Sequence, residues 1–513
     1  MYGMKKGKAL FYNMILMTAT ALLIRTAGVI FSAYLFRKIG SVGIGIYQLI
    51  MSVYALAITL ATSGIKFTAT RLVSEELGKD NRTGVRKALK SCLGYAVLFS
   101  LATAVLLYFG AEWIGTVWLD DPRTVSSLRI LPIGLPFIAI SAVAGGYLTA
   151  VRKANRCALI QIADQFVMIV ITITGLRLLL PKGLEYGCIA MVAGSCLAEA
   201  IACLFLFLCV LHDQKKRKTD DKKAKGIQKR MFKIAIPIAL SAYARSALST
   251  LQNILIPRGL KKWGASQEQA FTAYGTVHGM VLPLVLYPAA LLTALAELLI
   301  PELTECQVQD DRVRIHWIVT RVLKLSFLFA VCVMGVLFYF SESLGMTFYQ
   351  SSEVAFYVKL FSPLVLIMYM DTIVDGMLKG LGEQYQSMKY NVIDSFASVC
   401  MVYFLLPVFG IKGYVMTVMV SEVLNFSLSL GRLVKITSLR ISVKEIVLKP
   451  LLCVVCTTLT CGILWFPDSW TNAHFPDLLL VRVLFLIGCY VLFLFLFSCL
   501  KKEDLKWFAS LVR

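Results

Sequence analysis

Residues 9–76 read ALFYNMILMTATALLIRTAGVIFSAYLFRKIGSVGIGIYQLIMSVYALAITLATSGIKFTATRLVSEE. Residues 9–36 are almost all apolar, with one charge, Arg25, between them. A short polar stretch that opens on Arg37 leads into a second apolar run, 49–70. An α-helix rises 1.5 Å per residue, so ~20 apolar residues cross a ~30 Å hydrocarbon core. Both runs are long enough to span. Arg25 then lies 12 residues before Arg37 and 17 after Lys8, near mid-membrane. A charge at that depth costs at least ~2.5–3.5 kcal/mol on insertion scales, so it belongs on a polar interior rather than against lipid.

The rest of the chain is of one kind with this stretch. Of its 513 residues 58% are hydrophobic and 16% charged, against ~45–50% apolar and ~25% charged in soluble proteins. This composition predicts an all-α, multi-pass membrane protein with no large soluble domain. The net charge of +22 accords with basic cytoplasmic loops, and no nucleic-acid motif accompanies it. The first run is too long for a cleavable signal and stays as the first helix. Windows of about 19 residues give fourteen spans: 9–36, 42–70, 89–117, 125–150, 157–180, 187–211, 234–257, 270–300, 316–340, 354–378, 390–410, 412–434, 446–466 and 476–500. With both termini cytoplasmic, inside segments carry 36 of the 52 lysines and arginines and outside loops 12, as the positive-inside rule requires.

The spans repeat. Arg25 and Arg245 each sit mid-span in the first helix of a half. Tyr47 and Glu75 correspond to Tyr274 and Glu302, and Gly146, Leu148 and Asp164 to Gly376, Leu378 and Asp394. The expected organisation is a six-helix half over 1–211, a basic cytoplasmic linker over 212–233, a second six-helix half over 234–440, and two additional helices with a tail over 441–513. An even number of helices per unit makes this a parallel repeat, with a substrate site between the halves near the midplane.

Residues 37–76, with their basic–Gly, Gly-Tyr and Ser-Gly-Ile order, resemble the stage V sporulation protein B and oligosaccharide flippase group. That group lies in the multidrug, oligosaccharidyl-lipid and polysaccharide exporter superfamily. The resemblance covers the whole length. It implies a non-enzymatic, alternating-access transporter in a bacterial plasma membrane, moving a lipid-linked oligosaccharide or peptidoglycan precursor. In the related lipid II flippase the cavity is cationic, with arginines on the first, second and eighth helices. Arg25 matches on the first helix; the second offers Lys66 and the eighth His278. Arg245 is this chain's own counterpart of Arg25.

A phosphate-bearing head must lose water to cross lipid, and the forked donors of arginine match phosphate oxygens. Substrate contact is therefore expected at Arg25, Arg245, Lys66 and His278; structural polar contacts are the alternative. Asp371 and Asp375 are four apart on one helix face. They are either a proton or sodium coupling site or, for Asp375, a surface pair with Lys379. Glu199, Glu297 and Glu422 sit near inner helix ends with no assigned role. Pro283 and Pro288 predict a kinked eighth helix.

No phosphate-binding loop, GxSxG or HExxH occurs, so no ATP site, enzyme activity, metal or cofactor is expected. The 14 cysteines fall mostly in apolar runs, and Cys453 and Cys456 form a lone CxxC. Such cysteines are small buried hydrophobes. Two other functions stay open. A multidrug exporter of cations would need an acidic cavity, and a non-transporting partner of a membrane synthase would tolerate loss of both arginines.

Overall fold

The computed structural model describes residues 2–62, 64–78, 81–151, 153–215, 226–439, 444–464 and 476–500. Among them there is helix and no strand. In hydrocarbon every backbone N–H and C=O must be satisfied within its own segment, and a helix does this. Among the described residues ten helices are long and apolar enough to cross a membrane, or up to twelve when each bent pair is one span. The protein is a multi-pass membrane protein. Its outward surface is apolar accordingly: on Arg82–Trp113, Leu98, Leu101, Val105, Leu106 and Phe109 are all exposed.

The opening stretch forms one hairpin. Tyr2–Thr62 is continuous in hydrogen bonding but broken at Gly40, with φ 69° and ψ 178°. A Cβ there would meet nothing within 4 Å, so it is the backbone angle, not space, that favours glycine. The chain folds back at this point. Ser32 before the break donates to the carbonyl of Gly279 at 2.7 Å, and Ile44 and Gln48 after it pack on the same glycine. A straight helix would hold Ser32 and Gln48 about 24 Å apart.

The return arm joins the two sequence halves. A Cβ on Gly275 would lie 2.6 Å from the amide nitrogen of Gly45, and one on Gly45 would overlap the Phe271 carbonyl. With no side chain on either, Ile46, Leu49 and Ile50 share one core with Phe271, Val277 and Val281. Ile227–Trp263 runs beside the same arm: Thr250 Oγ1 donates to Ser52 O at 3.1 Å, and Tyr243 donates to Leu60 O at 3.3 Å. Its two ends belong to different bodies. Ile227, Met231 and Ala235 are buried with Leu72, Tyr95 and Tyr147 of the first half, while Gly259 packs on Leu406 of the second.

Ion pairs tie that helix down at both ends. At its start Arg230 bonds Glu75 at 3.2 Å and also Glu76; Glu76 is 2% exposed and also accepts from Asn81 Nδ2 at 2.9 Å. At its far end Lys261 Nζ meets Asp120 at 2.7 Å, and Gln267 donates to Asp120 O at 2.8 Å. The last helix, Pro476–Leu496, leans on Arg312–Tyr339 through Tyr490, which donates to Leu328 O at 3.1 Å.

Breaking a buried pair strands the partner charge. Arg230→Gln is therefore expected to cost ~3 kcal/mol, at the lower end for a buried pair because the guanidinium is partly exposed. Glu75→Gln, on the exposed side of the same cluster, should cost no more than ~1 kcal/mol. Thermal unfolding of the two purified variants measures both, and equal losses would show that the buried Glu76 is not the anchor.

Candidate functional site

The expected kink is present. Gln267–Leu286 and Ala289–Val308 meet at 61° around Tyr287 and Pro288. A proline has no N–H to give the carbonyl four residues earlier, and a bend frees more carbonyls. Neighbouring side chains take them up. Pro283 lacks the donor that would meet Gly279 in an α-helix, and Ser32 Oγ bonds that carbonyl instead. Tyr369 donates to Val285 O at 2.8 Å, and Arg25 donates to Leu286 O at 3.2 Å. Thr26 Oγ1 and the Tyr287 hydroxyl are 2.8 Å apart. Three of these four contacts come from the first span.

Beside the bend lies a cavity of about 450 Å³. Arg25, Ser32, Tyr47 and Gln48 of the hairpin line it, with Gln165 of Ala154–Leu179 and Tyr287 of the bent pair. Arg25 is exposed there. A guanidinium has five donors, so the bond to Leu286 leaves others for an anion. No carboxylate occurs among the lining residues.

The other expected residues lie elsewhere. Arg245, on Ile227–Trp263, is exposed, makes no ion pair among the described residues and does not line this cavity. Lys66 is exposed and its Cε lies 3.9 Å from where a Gly145 Cβ would stand. His278 turns from the cavity toward Ile411–Thr437, with Nε2 2.6 Å from the Tyr414 hydroxyl and its ring against Tyr274.

The two aspartates part company. Asp375 pairs with Lys379 at 2.5 Å and also accepts from Ser387. Asp371 accepts from Asn425 Nδ2 at 3.0 Å, and its other oxygen is buried without a hydrogen-bond partner. Asp394, bonded by Ser421 at 2.5 Å, and Glu422 lie within electrostatic reach of it. Glu422 was expected at a helix end with no role; packing instead draws it into this group. Asp164 and Glu199 stand near each other on Ala154–Leu179 and Leu184–Lys215. Sequence reasoning also passed over Gln48 and Gln165. Their signal was available: carboxamides inside apolar spans are as out of place as charges.

An apolar helical bundle, folded around a cavity that exposes an arginine, is the architecture of a membrane transporter. The chain belongs to the polysaccharide biosynthesis protein family, whose model matches residues 10–300. It is 23% identical over 499 residues to stage V sporulation protein B of Bacillus subtilis (strain 168), covering 96% of each chain. Its fold is similar to the lipid II flippase MurJ in an inward closed conformation, with a TM-score of 0.71 at 16% identity, over 97% of this chain and 100% of that one. It is also similar to a multidrug resistance MATE family transporter of the MOP superfamily, inward-facing, with a TM-score of 0.59 at 16% identity, over 83% of this chain and 100% of that one.

The bend depends on borrowed donors, so Tyr369→Phe should be felt. Val285 and Tyr369 are both fully buried, and a buried carbonyl left without its donor costs ~1–3 kcal/mol. A lower melting temperature with unchanged helix content by circular dichroism is the expected result.

Proposed function

We propose that the protein is a flippase that carries a lipid-linked oligosaccharide or peptidoglycan precursor across a bacterial plasma membrane. The observation that carries this reading is Arg25, exposed in a cavity lined from both sides of the linker. A cation exporter would need acids at that place, and the lining offers none. The family and the likeness to stage V sporulation protein B support a role in polysaccharide or cell-wall assembly, and the fold supports transport rather than catalysis.

The finer architecture follows the repeat. We read fourteen crossings: Gly40 divides Leu22–Gly78 into two spans, each bent pair counts once, and the shorter apolar helix Lys449–Gly462 also crosses. Two six-helix halves over 1–211 and 234–440 would rock about their shared core, followed by two further helices over 441–513. Both termini and the basic linker lie on the cytoplasmic side; residues 216–225 of that linker are outside the described ones. Arg25 binds the phosphate of the head. Arg245, Lys66 and His278 stand outside the cavity in this conformation, and a substrate role for them requires the halves to move.

Arg25→Gln should lower binding of the lipid-linked substrate per folded molecule by roughly tenfold to a hundredfold, the worth of a charge-assisted hydrogen bond. Arg25→Lys, which keeps the charge and loses the fork, should be milder. If Arg25 serves only to hold the Leu286 carbonyl, Arg25→Gln will lower stability while the folded fraction binds normally.

Asp371 and Asp375 are the proposed coupling residues, for a proton or sodium ion. The Asp375–Lys379 pair supports a structural reading of Asp375, which places the weight on Asp371. Asp371→Asn should lower transport and flatten its pH or sodium dependence. An unchanged dependence in a well-folded variant would retire the coupling role.

A further inference from the structure

The lining of the cavity is more neutral than an anion site needs to be. One arginine cannot by itself offset a diphosphate, and the remaining polar groups are uncharged. Two of them are the carboxamides of Gln48 and Gln165, which make no hydrogen bond among the described residues. Gln48 reaches over Gly279 of the second half: its Nε2 lies 3.7 Å from where a Cβ would stand. Beside the amides are the rings of Tyr47 and Tyr287. Both glutamines are half-buried, so their donors and acceptors stay open to a ligand that enters the cavity.

A carboxamide offers an acceptor oxygen and two N–H donors. That set pairs with neighbouring hydroxyls, each both donor and acceptor, while an aromatic ring packs against the C–H face of a pyranose. A volume of about 450 Å³ falls in the usual range for small-molecule sites, too small for a polyprenyl tail. An isoprenoid alone would leave both amides unsatisfied. A carboxylate-rich or bare phosphate ligand would use the arginine and the amide N–H groups and leave the amide oxygens and the rings without a partner.

We propose that Gln48 and Gln165 form a glycan-reading subsite, binding the hydroxyls of the sugar next to the phosphate held by Arg25. Both glutamines and the arginine belong to the first half. That half selects the head, and the second half contributes Tyr287 and the wall at Gly279. The inference rests on the flippase reading and adds which residues read the sugar and which the phosphate.

The test uses the full chain in lipid nanodiscs and two probes. One is a short isoprenyl diphosphate carrying an N-acetylglucosamine disaccharide; the other is the same isoprenyl diphosphate without sugar. The unaltered protein should bind the sugar-bearing probe about tenfold or more tightly than the bare one. Gln48→Met and Gln165→Met keep side-chain length and remove hydrogen bonding. Each should weaken the sugar-bearing probe by about three- to tenfold and leave the bare probe unchanged. Arg25→Gln should weaken both. The two glutamines lie on different helices, so either variant alone decides if the other fails to fold. Equal affinity of the unaltered protein for the two probes overturns the glycan subsite and leaves the flippase reading standing. So does a glutamine variant that shifts both probes alike, or neither. Failure of the unaltered protein to bind either probe overturns both.

Discussion

A broken helix inside a membrane has carbonyls that no water will take, and much of this structure follows from that constraint. Pro283 and Pro288 bend the pair Gln267–Leu286 and Ala289–Val308. The exposed acceptors must be met by side chains from elsewhere, since an unpaired group in hydrocarbon costs several kcal/mol. Ser32, Arg25 and Tyr369 meet three of them. Two of those donors are on the first span, so satisfying the bend also fastens the first half to the second. The cavity is what remains between the bent helix and the hairpin once those bonds are made.

In the proposed reading Arg25 has two duties that need not conflict. One N–H holds the Leu286 carbonyl, and the rest of the guanidinium faces the cavity. The fixed bond pre-orients the fork for an anion and removes part of the entropy that a free arginine would lose on binding. A movement that straightened the bend would withdraw that bond. In that reading substrate affinity and helix geometry are joined through one side chain, the kind of differential contact that alternating access requires.

Glycine performs the complementary task at the interface between halves. Gly45 and Gly275 bring two backbones together where any side chain would intrude. Close approach of small residues is the main source of helix association in lipid, where burying apolar area gains little over leaving it in the hydrocarbon. Ile227–Trp263 adds a strap. Its start is buried in the first half and its far end packs on the second, with ion pairs at either end. Amide and carboxylate groups gather in several places: Gln48 and Gln165 at the cavity, Asp164 with Glu199, and Asp371 with Asp394 and Glu422.

The all-helical, membrane-spanning character of the chain, the break between its first two apolar runs and the kink at Pro288 were legible in the sequence. Each rests on a local quantity: apolar run length, the polar residues that interrupt it, or a missing N–H. The pairing of Asp375 with Lys379 was legible for the same reason, being four apart on one helix. Which residues share a cavity was not. Arg25 and Arg245 hold matching places in the expected repeat, yet of the two only Arg25 lines the cavity, because rotation of each helix about its axis is set by its neighbours and not by its own sequence. His278 turns toward Tyr414 for a bond on another helix, Gln48 and Gln165 line one cavity from spans more than a hundred residues apart, and Glu422 joins Asp371 and Asp394 from the middle of Ile411–Thr437. These are contacts between helices, and in a nearly uniform apolar sequence only packing decides which faces meet.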